Sequence, residues 1–157
     1  MDAAHLFGNG DESLFASHIG RSSAKPIVAV IDEDQSSRKN LVRLIRAAGY
    51  KPAAFASATE FLESLVLEVA SCVISELSMR GLNGLQLQQS LQSKMPCLSM
   101  IFVSAHVDVA GAVAAMKAGA IDLLEKPVRH GALLEAIGCA LRRTNKSRTA
   151  MAEIAKL

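Results

Sequence analysis

A short run of aliphatic residues, Ile27-Val28-Ala29-Val30-Ile31, ends abruptly in three acids, Asp32-Glu33-Asp34. A continuous, β-branched apolar run of that length suits a strand covered on both faces, as in a parallel sheet packed between helices. Ligands of such sheets bind outside the carboxyl ends of the strands. The acids therefore stand where chemistry is expected.

The alternation continues along the chain. Leu41, Leu44, Ile45 and Ala48 form one apolar helical stripe, with Ser36 or Ser37 placed to cap its start and Gly49 to end it. Ala53-Ala54-Phe55 is a weak strand, and Ser57 and Glu60 have capping-box spacing for the next helix. Residues 71–75 predict a third strand, 81–84 a turn, and Leu85, Leu87 and Leu91 a helix. Met100 to Val103 predicts a fourth strand, 107–118 a helix closed by Gly119, Ile121 to Leu124 a fifth strand, and Leu133, Leu134, Ile137 and Leu141 a last helix. Strands alternating with helices imply βαβ units, hence an α/β fold with a parallel sheet and helices on both faces.

The 157 residues suit one domain with short tails, large enough for a core without disulfides or metals. Residues 1–25 read as a flexible extension with a short helix around Leu14 to Ile19, residues 26–143 as the domain, and 144–157 as a helix extension or linker stub. With no tryptophan and one tyrosine, the core must be aliphatic. A net charge of +2 gives no argument for a nucleic-acid surface. No apolar run is long enough to span a bilayer, and MDAAHLFGNGDESLF lacks the pattern of a signal peptide, so a cytoplasmic protein is expected. Cys72, Cys97 and Cys139 read as buried or half-buried hydrophobes in a reducing compartment, without metal-ligand spacing.

Strand one ends in Asp32-Glu33, strand three in Glu76 and strand four in Ser104, while Lys126-Pro127 follows strand five. Convergent carboxylates repel, which raises their proton affinity or recruits a hard cation such as Mg2+. A lysine and a hydroxyl beside them would supply donors for a phosphoryl group.

The segments IVAVIDED, VISELSMRGLNGLQL and FVSAHVDVAGAVAAMKAGAIDLLEKP, in this order and spacing, resemble the receiver domain of two-component response regulators of the nitrogen-fixation type. The resemblance covers about residues 26 to 140. It implies a flavodoxin-like doubly wound (βα)5 fold with strand order 2-1-3-4-5, and a signalling module rather than an enzyme. It makes Asp32 and Glu33 metal-side acids, puts Glu76 at the position of the phosphoaccepting aspartate, Ser104 at the switch hydroxyl, and Lys126 at the phosphoryl-binding lysine. A cis peptide is expected before Pro127. Asp32, Glu33 and Glu76 would be the ligands of any Mg2+. Implied partners are a histidine kinase, a phosphotransfer protein or an output domain, with a homodimer through helix 107–118, strand 121–124 and helix 131–143. No membrane or direct nucleic-acid contact is implied.

The sequence departs from the family pattern at Glu76, at Glu33 in place of a second aspartate, at Arg80 in place of a proline, and at Leu123 in place of the switch aromatic. Glutamate adds one methylene, about 1.5 Å of reach. Misplacing a nucleophile by that much costs about 100-fold in rate. Poor or absent phosphorylation is expected, with the longer carboxylate pairing with Lys126 or Ser104 and partly mimicking a phosphoryl group.

Plainer readings stand beside these. Asp32, Glu33 and Asp34 would make an acidic turn capping the first helix, Glu76 a surface acid paired with Arg80, and Ser104 a cap for a helix near His106. Asp122 reads as a surface acid, and His106 and His130 as loop residues. Helix 107–118 is apolar almost all round, which predicts burial on more than one side, or else an interaction face. Three function classes follow: a degenerate receiver acting by contact, an active phospho-receiver using Mg2+, and a flavodoxin-like cofactor enzyme. The third is disfavoured by the lack of a glycine-rich phosphate loop after the first strand. A further alternative is the receiver fragment of a helix-turn-helix transcription regulator.

Overall fold

The computed structural model describes residues 24–157. The expected helix around Leu14 to Ile19 lies outside the described residues. Five parallel strands form one sheet in the order β2-β1-β3-β4-β5. They are β1 (Ile27–Ile31), β2 (Lys51–Phe55), β3 (Cys72–Glu76), β4 (Met100–Ser104) and β5 (Asp122–Glu125). The helices are α1 (Gln35–Ala47), α2 (Ala58–Leu62), α3 (Val66–Val69), α4 (Gly84–Lys94), α5 (Val109–Lys117) and α6 (His130–Ala155).

Alternation along the central strands divides the core between two sheet faces. Val28, Val30, Cys72, Ile74, Ile101 and Val103 pack with Leu41 and Ile45 of α1 and Leu133 and Ile137 of α6. Ala29, Ile31, Val73, Met100 and Phe102 face Phe61, Leu87, Leu91 and Ala115, from α2, α4 and α5. β1, β3 and β4 are therefore covered on both faces, as their unbroken apolar runs require. β2 and β5 are edge strands and are only partly buried. Cys72 lies inside the sheet, and its burial pushes the thiol pKa well up. Cys97 is half-buried, whereas Cys139 is exposed, contrary to expectation.

Several local expectations are corrected. Asp34, not a serine, caps α1: its Oδ2 accepts from the Ser37 amide at 2.8 Å. Ser57 caps α2, but Glu60 returns to the Ala56 amide rather than closing the box on Ser57. A reciprocal capping box stands instead between Asn83, in the segment read as a turn, and Gln86 of α4. α5 starts at Val109 under Asp108, so Ser104 does not cap it. His130 opens α6 rather than sitting in a loop. Gly49 and Gly119 close α1 and α5 with φ of +92° and +100°, the left-handed backbone that glycine adopts without steric cost.

α5 is not buried on several sides. Only Ala115 is buried, while Val109, Val113 and Met116 are exposed. Its apolar composition comes from an uncovered face, not from a central position.

α6 continues past the sheet to Ala155. It is held at the amino ends of the strands. Thr144 Oγ1 accepts from the Ser99 amide at 3.1 Å, Arg143 donates to the Gly119 carbonyl at 2.9 Å, and Arg148 to the Ala70 carbonyl at 2.8 Å.

Candidate functional site

The parallel register brings one end of the sheet together. Ile31 pairs with Ser75, Glu76 with Val103 and Ser104 with Glu125. The next residue in each direction of interest, Asp32 after β1 and Lys126 after β5, then flanks Glu76 and Ser104 at the carboxyl pole. The peptide between Lys126 and Pro127 is cis, as expected.

Lys126 is the hub. Its Nζ lies 2.7 Å from Asp32 Oδ2 and 2.8 Å from Glu76 Oε1. Asp32 is buried; its Oδ2 also accepts from Ser37 Oγ at 2.7 Å, and its Oδ1 from the Asp34 amide at 3.0 Å. Glu76 is buried too, and its second oxygen, Oε2, accepts from the amides of Leu77 at 2.6 Å and Ser78 at 3.1 Å. Three donors thus occupy most of the roughly four lone-pair positions of the Glu76 carboxylate. Among the described residues no buried side-chain nitrogen or oxygen lacks a partner. Partial burial works to lower the Lys126 pKa, but hydrogen bonds and charge from Asp32 and Glu76 outweigh it and hold the pKa above its ordinary value.

The other candidates fall further out. Glu33 is exposed and turned away from the pair; its Oε2 accepts from the Arg80 amide at 3.1 Å. The reading of Glu76 as a partner of Arg80 is therefore overturned: Arg80 meets Glu33, and Glu76 meets Lys126. Ser104 is buried, but its hydroxyl donates to the His106 carbonyl at 3.2 Å, so of the two partners expected for Glu76 only Lys126 is engaged. Leu123 is half-buried on β5 and packs against the core face that carries α4 and α5.

The acids do not fit a metal centre as they stand. Among the described residues no group of three His, Cys, Asp or Glu side chains is arranged to hold a metal ion. The ammonium of Lys126 sits between Asp32 and Glu76, and Glu33 faces Arg80. What would be ligand oxygens are engaged as hydrogen-bond acceptors.

Two contributors were not singled out for the site from the sequence. Ser37 was read only as a cap, yet its hydroxyl binds Asp32. Arg38 donates to the Asp32 carbonyl at 2.7 Å and secures the end of β1. Their signal was position: both fall on the first turn of α1, over the carboxyl end of β1.

Residues 28–138 match the response regulator receiver domain family. The chain is 39% identical to nodulation protein W of Bradyrhizobium diazoefficiens over 136 residues, which are 87% of this chain and 60% of that protein. It is 35% identical to the transcriptional regulatory protein FixJ of Azorhizobium caulinodans over 117 residues, 74% of this chain and 56% of that one. The structure of the response regulator StyR superposes with a TM-score of 0.77 at 38% identity, covering 85% of this chain and 67% of that one. The chain thus spans little more than half the length of these two curated relatives. No helix among the described residues is long and apolar enough to cross a membrane. With the strand order 2-1-3-4-5 and the lysine–carboxylate cluster at the carboxyl pole, this chain belongs to the response regulator receiver domain family.

Proposed function

We propose that the chain is an atypical receiver in two-component signalling, whose state is set by protein contact rather than by phosphoryl transfer to residue 76. One observation carries this reading: Glu76 is engaged at both oxygens, by Lys126 on Oε1 and by the Leu77 and Ser78 amides on Oε2. A nucleophile must aim a lone pair at the phosphorus, and the one position left, on Oε1, lies on the oxygen that the longer side chain brings to the lysine. The ammonium is already neutralised by two carboxylates, the charge arrangement that an acyl phosphate would otherwise establish, though with fewer acceptor oxygens.

The partners in this reading are a histidine kinase, a phosphotransfer protein or an output domain. The uncovered face of α5, with Val109, Val113 and Met116, offers them an apolar surface next to β5. The relatives' names support an output role in transcription, so the alternative of a receiver attached to a helix-turn-helix module stands beside it. The unpaired cysteines fit a reducing, cytoplasmic setting.

Intact-mass analysis tests the reading. The protein is incubated with Mg2+ and a small acyl-phosphate donor, alongside Glu76→Asp. The expected result is no adduct on the parent chain and one phosphoryl group on the aspartate variant. A phosphorylated parent would reject the proposal in favour of the active phospho-receiver, in which Glu33 leaves Arg80 and Lys126 releases Glu76 to admit magnesium. If neither chain reacts, the pocket has lost the chemistry beyond residue 76.

A further inference from the structure

Two of the departures from the family pattern meet one another. Glu33, in place of an aspartate, puts its Oε2 3.1 Å from the backbone amide of Arg80, which stands in place of a proline. Neither change makes this contact alone. An aspartate is shorter by one methylene, about 1.5 Å of reach. A proline has no N–H to donate. The contact joins the turn after β1 to the loop between β3 and α4, 47 positions further along the chain.

That loop begins at the carboxyl pole. Its first two amides, Leu77 and Ser78, hold Glu76 Oε2 at 2.6 and 3.1 Å. Its base is closed by the Gly84 amide, which donates to the Leu77 carbonyl at 3.0 Å. Met79 and Leu82 seat it on the core face that carries α4 and α5. Among the described residues, the Arg80 amide makes the one hydrogen bond that carries residues 78–83 beyond their own flanks. Ser78 turns back to Glu76, and Asn83 forward to Gln86. Ser78, Arg80 and Gly81 are exposed, so water is the alternative partner of the Arg80 amide.

We infer that Glu33 is a positioning residue, a clasp that straps the β3–α4 loop to the turn after β1 and thereby keeps the Ser78 amide on Glu76. The clasp acts two residues from Ser78, and a loop fixed at both base and tip leaves that amide little freedom. Releasing it lets Ser78 turn to solvent and returns a lone-pair position to Glu76 Oε2. The inference deepens the reading of Glu76 given above and rests on it for its consequence. A partner that draws the exposed tip outward would open the same clasp, which is a route by which contact resets the site.

Solvent exchange of backbone amides in the full chain, followed residue by residue by NMR, is the test. Glu33→Ala is expected to speed exchange at Ser78 by about threefold to tenfold, the scale of one partly exposed hydrogen bond to a charged group. Arg80→Pro removes the donor and matches it. Arg80→Ala keeps the amide, loses only the guanidinium, and leaves Ser78 as in the parent. Glu33→Gln keeps an acceptor oxygen at the same reach and recovers part of the protection. Glu33→Ala combined with Arg80→Pro exceeds neither single change, because both remove one contact. Unchanged exchange at Ser78 in Glu33→Ala overturns the inference. So does an Arg80→Ala variant that matches Arg80→Pro, or single effects that add. Should Arg80→Pro not fold, Glu33→Ala set against Glu33→Gln decides. Phosphorylation of the parent would sink the reading of Glu76 and leave the clasp standing, whereas an indifferent Ser78 sinks the clasp and leaves that reading untouched.

Discussion

Lys126 donates to Glu76 Oε1 at 2.8 Å although the two residues are 50 positions apart in the chain. The contact joins the ends of β3 and β5 across β4. The same ammonium reaches Asp32 at the end of β1, so one side chain ties together three of the five strands. Neither carboxylate is left to repel the other, because the cation lies between them.

Replacing Lys126 by methionine keeps the stem and removes the charge. Asp32 retains the Ser37 hydroxyl and the Asp34 amide, but two neighbouring carboxylates lose their common counter-ion. Breaking a buried ionic arrangement by removing one partner costs about 3–5 kcal/mol. The low end applies here because Asp32 and Glu76 keep other donors. Urea unfolding of Lys126→Met is expected to show a lower midpoint with an unchanged slope. Adding Glu76→Gln, which removes one of the opposing charges, should recover part of the loss.

The same cluster predicts the alkaline limb of stability. The folded state binds the Lys126 proton more tightly than the unfolded chain does, since the two carboxylates outweigh the effect of burial. The stability gained from that proton is complete below the ordinary lysine value of about 10.5. It fades as the pH rises from there through the raised folded value, because the unfolded chain then gives up its proton first. Melting temperature measured against pH should fall over that alkaline range in the parent. The slope should be shallower in Lys126→Met. Equal slopes would mean that Lys126 is not the group responsible.

The sequence made the sheet legible because β1, β3 and β4 are buried on both faces and read as unbroken apolar runs. The site residues were legible for a related reason: in a parallel sheet, the residue ending each run lands at one pole. The arrangement of the polar partners was not legible. Asp34 caps α1 with its side chain and meets Asp32 through its amide, while Ser37 gives its hydroxyl to Asp32, and no periodicity records that division. Glu33 was placed in the pocket because it adjoins Asp32, yet the turn after β1 points it at Arg80. For α5, composition implied burial. Exposure is set by what packs on a helix, and nothing among the described residues covers Val109, Val113 and Met116.

Gly84 offers a test of how tightly the site is coupled to its scaffold. It opens α4 directly beneath the end of β3. A Cβ built there would lie 2.6 Å from the Glu76 carbonyl oxygen, 2.8 Å from Phe102 Cε1 and 2.9 Å from Leu77 Cα. Two of those three atoms are backbone, so relief requires the strand end or the helix start to move. Gly84→Ala is therefore expected to destabilise by about 1–3 kcal/mol despite alanine's better helix propensity. The movement would fall on the segment whose amides hold Glu76 Oε2. Backbone amide chemical shifts of Leu77 and Ser78 should change along with the unfolding midpoint. Loss of stability with those shifts unmoved would show that the strain is absorbed by Phe102 and α4, and that the Glu76 cradle is insulated from the helix beneath it.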